Sequence, residues 1–186
     1  MFSVEEKAHY QRHFQLPEVG QAGQEKLKKS SVLCVGVGGL SSPVLLYLAA
    51  AGVGKIGLID ADIVDASNLQ RQIIHGYNTL SQSKVESAKA RLIDLNPWIE
   101  IEAHQCFFST DNALELAKGY DLIIDGSDNF ETRYLTNDVA FRLKIPNVYA
   151  SIFRFEGQVS VFASHLGGPC YRCMLPVAPA AELAPT

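Results

Sequence analysis

The chain has 186 residues, of which 47% are hydrophobic and 19% charged, with a formal net charge of −4. This is the composition of one globular domain, long enough to bury roughly 70% of its unfolded surface. No apolar run reaches the ~20 residues of a membrane span, no signal-peptide core opens the chain, and an acidic balance without a basic stripe argues mildly against a nucleic-acid partner.

In chain order, residues 5–14 read as a short helix, with Arg12 and His13 on a solvated face. Pro17, Gly20 and Gly23 then break the chain before a brief helical turn ending at the lysines. Residues 32–37 form an apolar run that enters a glycine-rich turn at Gly36, Gly38 and Gly39. Ser41 or Ser42 is expected to cap the helix that follows, whose first turn holds Pro43. Gly52 is its natural left-handed terminator. A β-branched run over residues 56–59 delivers Asp60. Strand, glycine turn, helix, strand and terminal acid describe a nucleotide-binding βαβ unit, with the acid placed to accept hydrogen bonds from ribose hydroxyls. Ser41 stands where the third glycine of the fingerprint belongs, which predicts slightly wider helix–strand packing.

Asp62 and Asp65 follow in the loop beyond that strand, and Ser67, Asn68, Arg71 and Gln72 form a polar cluster rich in donors. Ser81 or Ser83 is expected to cap a helix over residues 84–95, with Val85, Ala88, Leu92 and Leu95 on one stripe. Lys84 then sits in the first turn, where the helix dipole prefers an acid; an anionic ligand shared with the helix end explains it. Residues 99–103 read as a strand, and Ser109, Thr110 and Asp111 as the cap of a helix ending at Gly119. Residues 122–124 are a buried parallel strand by their unbroken apolar run, with Asp125, Asp128 and Asn129 at its carboxyl end. A helix carrying Leu135, Val139 and Leu143 and a strand from residue 148 complete the alternation.

The fold class is therefore α/β, a doubly wound, Rossmann-like and mostly parallel sheet. A short antiparallel hairpin is expected around Glu156 and Gly157, then a tight loop at GGPCYRCMLP. Residues 1–176 form one domain with a helical segment over 1–30, and the proline- and alanine-rich residues 177–186 read as an extended or disordered tail.

Of the four cysteines, Cys34 and Cys106 read as structural. Cys170 and Cys173 form a C-x-x-C turn suited to metal or redox chemistry and to a reducing, cytoplasmic home. Two cations beside a glycine turn and a helix end hold a polyphosphate, and Asp128 fits if it carries Mg²⁺. ATP with magnesium suits these charges better than a nicotinamide cofactor. An ion-pair network closing the sheet edge is the structural alternative.

With these residues in view, the chain resembles the MoeB/ThiF/HesA family, bacterial relatives of ubiquitin-activating enzymes. The resemblance covers residues 10–176 and rests on YQRH, LPEVGQAGQEKL, VGVGGLSSP, SNLQRQIIH, KVESAK, DGSDNFETR, FEGQVSVF and GPCYRCMLP in that order. FEGQVSVF favours the MoeB branch. The resemblance implies Mg-ATP-dependent adenylation of the C-terminal glycine of a ubiquitin-like sulfur carrier, MoaD-like or ThiS-like, in molybdopterin or thiamine sulfur transfer. It implies that Gly38, Gly39, Asp60 and Asp62 line the nucleotide, together with the block Ser67, Asn68, Leu69, Gln70 and Arg71. Arg71 and Lys84 would neutralise the triphosphate, Asp128 would hold the metal, and Asn129 would lie beside the nucleotide. Because the family forms homodimers, Arg12 would enter the partner subunit's site, reversing its bland reading.

The expected chemistry needs no Ser-His or Cys-His pair, because an α-carboxylate is already ionised at neutral pH. His75 and His165 are therefore expected to be structural or exposed. His9 stands where arginine is usual in the family. The family completes a Cys₄ zinc site with a second C-x-x-C and carries a later reactive cysteine, and no cysteine follows Cys173 here. That predicts half a Zn²⁺ site at Cys170 and Cys173 and a chain that is a truncated form, a fragment or a short natural variant. A non-catalytic nucleotide- or carrier-binding module and a nicotinamide-dependent oxidoreductase are the competing functions.

Overall fold

The computed structural model describes residues 2–179. Three helices open the chain, α1 (Val4–His9), α2 (Gln11–Phe14) and α3 (Gly20–Lys29). The alternating unit follows as β1 (Ser31–Val35), α4 (Ser41–Ala51), β2 (Lys55–Ile59), α5 (Lys84–Leu95), β3 (Glu100–His104), α6 (Ala113–Ala117), β4 (Leu122–Asp125) and α7 (Phe130–Leu143). Two longer strands, β5 (Asn147–Phe153) and β6 (Glu156–Phe162), and the single turn α8 (Tyr171–Met174) end the described chain.

The strands form one sheet in the order β3-β2-β1-β4-β5-β6. All neighbours are parallel except β5 and β6. This is the doubly wound order, and it reverses between β1 and β4, where such sheets bind ligands. Every residue of β1 is buried because helices cover both faces. Val32 and Cys34 pack with Leu45, Leu58, Val85 and Leu92 on one face. Leu33 and Val35 pack with Ile59, Ile123 and Val139 on the other. Burial pushes the Cys34 thiol up to about 12, so it acts as a small hydrophobe.

The N-terminal segment lies across the C-terminal ends of α4 and α5. Tyr10 Oη accepts a 2.7 Å hydrogen bond from Asn96 Nδ2, and Gln24 Nε2 donates to the Ala51 carbonyl at 2.8 Å. Gly52 ends α4 at φ +84°, and a Cβ there would fall 2.5 Å from Tyr10 Oη. The expected helix over 5–14 is divided at Tyr10, and the expected brief turn is the ten-residue α3, which runs through Gly23.

Several local expectations are corrected. Neither Ser41 nor Ser42 caps α4: Leu40 is already helical at φ −67°, ψ −42°, whereas a cap needs extended backbone. The serines therefore lie inside the helix, and Ser42 Oγ donates instead to the Gly38 carbonyl at 2.7 Å. Ser83 precedes α5 without a side-chain cap, and the Lys84 N–H bonds the Asp62 carbonyl at 3.0 Å. At α6 the preceding residue is Asn112, not the Ser109–Asp111 triplet; its side-chain oxygen accepts from the Ser109 N–H. The hairpin turns at Arg154, φ +55°, and Phe155, two residues before Glu156 and Gly157, because β5 runs on from its parallel pairing with β4 into the hairpin. The loop around the C-x-x-C contains α8. Residues 180–186 of the expected tail lie outside the described residues.

Candidate nucleotide site

The register that aligns Val35 with Asp125 puts the turns after β1 and β4 side by side. Gly36 leaves β1 at φ +86°, and a Cβ on it would press on the Gly126 carbonyl at 3.0 Å. A Cβ on Gly126 would fall 2.1 Å from Ser41 Oγ. The serine in the third-glycine position is thus accommodated by a glycine on the neighbouring strand rather than by wider packing.

These turns open into a cavity of about 550 Å³. Gly38, Gly39, Asp60 and Asp62 line it, as do Arg71, Lys84, Asp128 and Asn129. Eight of the residues expected at the nucleotide are therefore brought to one wall. Asp60 spends one carboxylate oxygen on the Val37 N–H at 2.8 Å and the other on the Asp62 N–H at 2.9 Å, holding the glycine turn against the end of β2. Arg71 lies over Gly39, where a Cβ would meet its Cγ at 3.2 Å. Asn68 is one bond away from the cavity: its Oδ1 accepts from Arg71 Nη2 at 2.9 Å and from Gln72 Nε2 at 3.3 Å.

Lys84 is buried in the first turn of α5, and its Nζ lies 2.7 Å from Asp62 Oδ2. The anion that the sequence asks of a ligand is supplied here by a side chain. His75 is buried and tethers the glycine turn to α5, with Nε2 3.1 Å from the Val37 carbonyl and Nδ1 2.9 Å from Ser87 Oγ. Burial holds its basicity below the ordinary imidazole value, which the Val37 carbonyl opposes. His165 is exposed. Asn129 caps α7 by accepting from the Thr132 N–H at 2.9 Å, while Asp128 makes no side-chain hydrogen bond or ion pair among the described residues.

Ser67, Leu69 and Gln70 do not reach the cavity wall. Ser67 is engaged with Asp65 Oδ1 through its N–H and its hydroxyl. Arg12 is exposed beside Tyr10, at the far end of α4, an eleven-residue helix about 16 Å long. Within one chain it is remote from the cavity.

The wall also holds residues that pattern reading missed. Gly126, Ser127, Arg133 and Phe107 line it. Arg133 is buried with its guanidinium 5.4 Å from the Phe130 ring, an i, i+3 aromatic–cation pair that was the one local signal for it. Cys106 lines the cavity too, but burial raises its thiol, which suits a wall rather than a nucleophile.

The residues present fit a magnesium nucleotide: two cations, a glycine turn and an unengaged carboxylate meet at the switch point. They do not fit a closed zinc site. Cys170 and Cys173 lie with sulfurs 3.7 Å apart, and no group of three or more His, Cys, Asp or Glu positioned to hold a metal occurs among the described residues. A structural zinc needs four ligands. No helix among the described residues is long and apolar enough to cross a membrane.

A family model described as the ThiF family matches residues 10–186. The chain is 49% identical over 187 residues to the probable adenylyltransferase/sulfurtransferase MoeZ of Mycobacterium tuberculosis, covering 99% of this chain and 48% of that protein. It is 46% identical over 189 residues to the sulfur carrier protein adenylyltransferase of Thermus thermophilus, covering all of this chain and 70% of that one. The chain spans about half the length of most of the curated relatives it matches. Among solved structures, Escherichia coli tRNA N6-threonylcarbamoyladenosine dehydratase in complex with ATP superimposes with a TM-score of 0.74 at 28% identity, over 80% of this chain and 60% of that one. E. coli MccB with MccA-N7isoASN gives 0.78 at 26% identity, over 92% and 52%.

Proposed function

The chain is a member of the ThiF family, and from that premise we propose that it is an ATP-dependent adenylyltransferase acting on the C-terminal glycine of a ubiquitin-like sulfur carrier. The observation that carries this reading is the convergence of Arg71, Lys84 and Asp128 on the cavity beside Gly38 and Gly39. The adenylyltransferase names of the M. tuberculosis and T. thermophilus relatives support it, as does the ATP bound by the dehydratase of the same fold.

The reaction joins a carboxylate oxygen of the carrier to the α-phosphorus of ATP and breaks the bond to the β-phosphate oxygen, giving the acyl-adenylate and pyrophosphate. The nucleophile is already ionised at neutral pH, so the protein needs no general base. Its residues contribute alignment and charge. The glycine turn and the first turn of α4 present backbone N–H groups to the phosphates. Arg71, held by Asn68, neutralises the triphosphate from the Gly39 side. Lys84 does so from α5 once phosphate oxygens take the place of Asp62. Asp60 faces the ribose, and Asn129 borders the nucleotide as the cap of α7. Asp128 is the candidate magnesium ligand, and the ion when bound draws charge from the departing pyrophosphate. Arg12 acts in the neighbouring copy of a homodimer, since in its own chain it lies at the wrong end of α4. The C-x-x-C spacing of Cys170 and Cys173 suits a reducing, cytoplasmic setting.

Carrier-dependent exchange of labelled pyrophosphate into ATP tests the proposal, with MoaD-like and ThiS-like carriers compared. Exchange with either supports it and names the pathway. NADH binding with no exchange by either carrier would overturn it.

A further inference from the structure

We propose that Arg133 is a positioning residue that fixes the short loop after β4 so that the Asp128 carboxylate is aimed for magnesium. This rests on the reading of Asp128 given above.

Several hydrogen bonds tie down the loop over residues 126–129. The Gly126 N–H donates to the Val35 carbonyl at 3.0 Å. The Ser127 N–H and hydroxyl both donate to Asp125 Oδ1, at 3.1 and 2.6 Å. Asn129 is committed to the Thr132 N–H. The Asn129 carbonyl accepts from the Arg133 N–H at 3.3 Å, and the Ser127 carbonyl accepts from Arg133 Nη2 at 3.1 Å. Asp128, between the tied residues, keeps a free carboxylate facing the cavity space that Arg133 also lines.

Arg133 is an expensive way to make one hydrogen bond. It is 4% exposed, forms no ion pair within 4 Å among the described residues, and leaves Nε buried without a partner. Its charge is met by the faces of Phe130 and Tyr149, 5.4 and 5.8 Å away, and beyond ion-pair distance by the buried Asp125 carboxylate. An apolar side chain of similar volume would fill the same space while leaving the buried Asp125 without a cation. What an apolar residue cannot do is hold the Ser127 carbonyl. Magnesium tolerates little departure from octahedral geometry and takes only one or two carboxylates beside phosphate oxygens, so a loose loop weakens that ligand first.

The test is ATP affinity, measured by titration calorimetry on the full chain with and without Mg²⁺, for the unaltered protein, R133M, R133K and D128N. R133M is expected to lose about tenfold of the magnesium-dependent gain, the ratio of affinities with and without Mg²⁺, which is the worth of one charge-assisted hydrogen bond. R133K, which keeps a donor near the carbonyl, is expected to lose less, and it decides the matter if R133M does not fold. Retention of the full gain in both variants, or an equal loss with and without magnesium, would overturn the inference. An undiminished gain in D128N would remove the Asp128 assignment itself, and this inference with it.

Discussion

Lys84 Nζ and Asp62 Oδ2 are 2.7 Å apart, and the pair is unequally covered: the lysine side chain is 8% exposed and the aspartate 63%. The carboxylate can leave for water, whereas the ammonium is confined to the cavity wall. An incoming phosphate therefore exchanges with Asp62 without moving Lys84. K84A should lower carrier-dependent exchange about 10²-fold or more, as for a lost oxyanion donor, and change stability by less than about 1 kcal/mol because the aspartate left behind is solvated. D62A strands the buried ammonium and should destabilise the fold by about 1–3 kcal/mol, discounted for its exposed partner. Thermal melts should then show ATP raising the melting temperature more in D62A than in the unaltered chain. An equal rise in both would count against phosphate taking the Asp62 place.

Gly126 and Ser41 meet across the switch point. G126A should destabilise by about 1–3 kcal/mol through overpacking, since its Cβ would lie 2.1 Å from Ser41 Oγ. S41G removes that atom, so the double variant should recover most of the loss. Urea unfolding of the four proteins in the cycle measures the coupling, and strictly additive effects would refute it.

His75 carries a pH signature. Burial, seconded by the Lys84 charge and opposed by the Val37 carbonyl and the Asp60 carboxylate, keeps its folded-state basicity below the ordinary value of 6.5. Between the folded value and 6.5 the unfolded chain binds more protons. Stability is therefore complete above about pH 6.5 and falls as the pH drops below it. H75Q should flatten this limb in urea titrations from about pH 5 to 8. A slope that H75Q leaves unchanged would assign it to another group.

Arg12 should act in trans. R12A is expected to lose at least about tenfold in exchange, in the manner of a charge supplied by a neighbouring subunit. Mixing R12A with K84A should restore activity, because one of the two sites in a mixed dimer then has every residue intact. No recovery on mixing, with dimer exchange verified by mass, would place Arg12 outside the reaction.

Much of this molecule was legible in its residues. The β1–α4–β2 unit could be read because glycine punctuation and apolar runs are local signals, and Gly52 ends α4 as expected. The acids after β2 and β4 fall where parallel strands end, so Asp60 and Asp128 reached the cavity without any knowledge of packing. The helix caps were misread for a local reason too: a serine near a helix start caps only from extended backbone, and Leu40 is already helical. The hairpin turn was misplaced because β5 serves both a parallel and an antiparallel neighbour.

By itself the sequence determined the alternation of strands and helices and the chemical character of the strand ends, because backbone preference and hydrophobic period act over a few residues. Tertiary structure alone decided that Asp62 meets Lys84, that Gly126 makes room for Ser41, and that Arg133 lies beneath the loop of Asp128. Those relationships depend on β1 lying between β2 and β4 in one register. Burial and charge pairing follow from that sheet order, which joins segments far apart in the chain and leaves no mark in any local pattern.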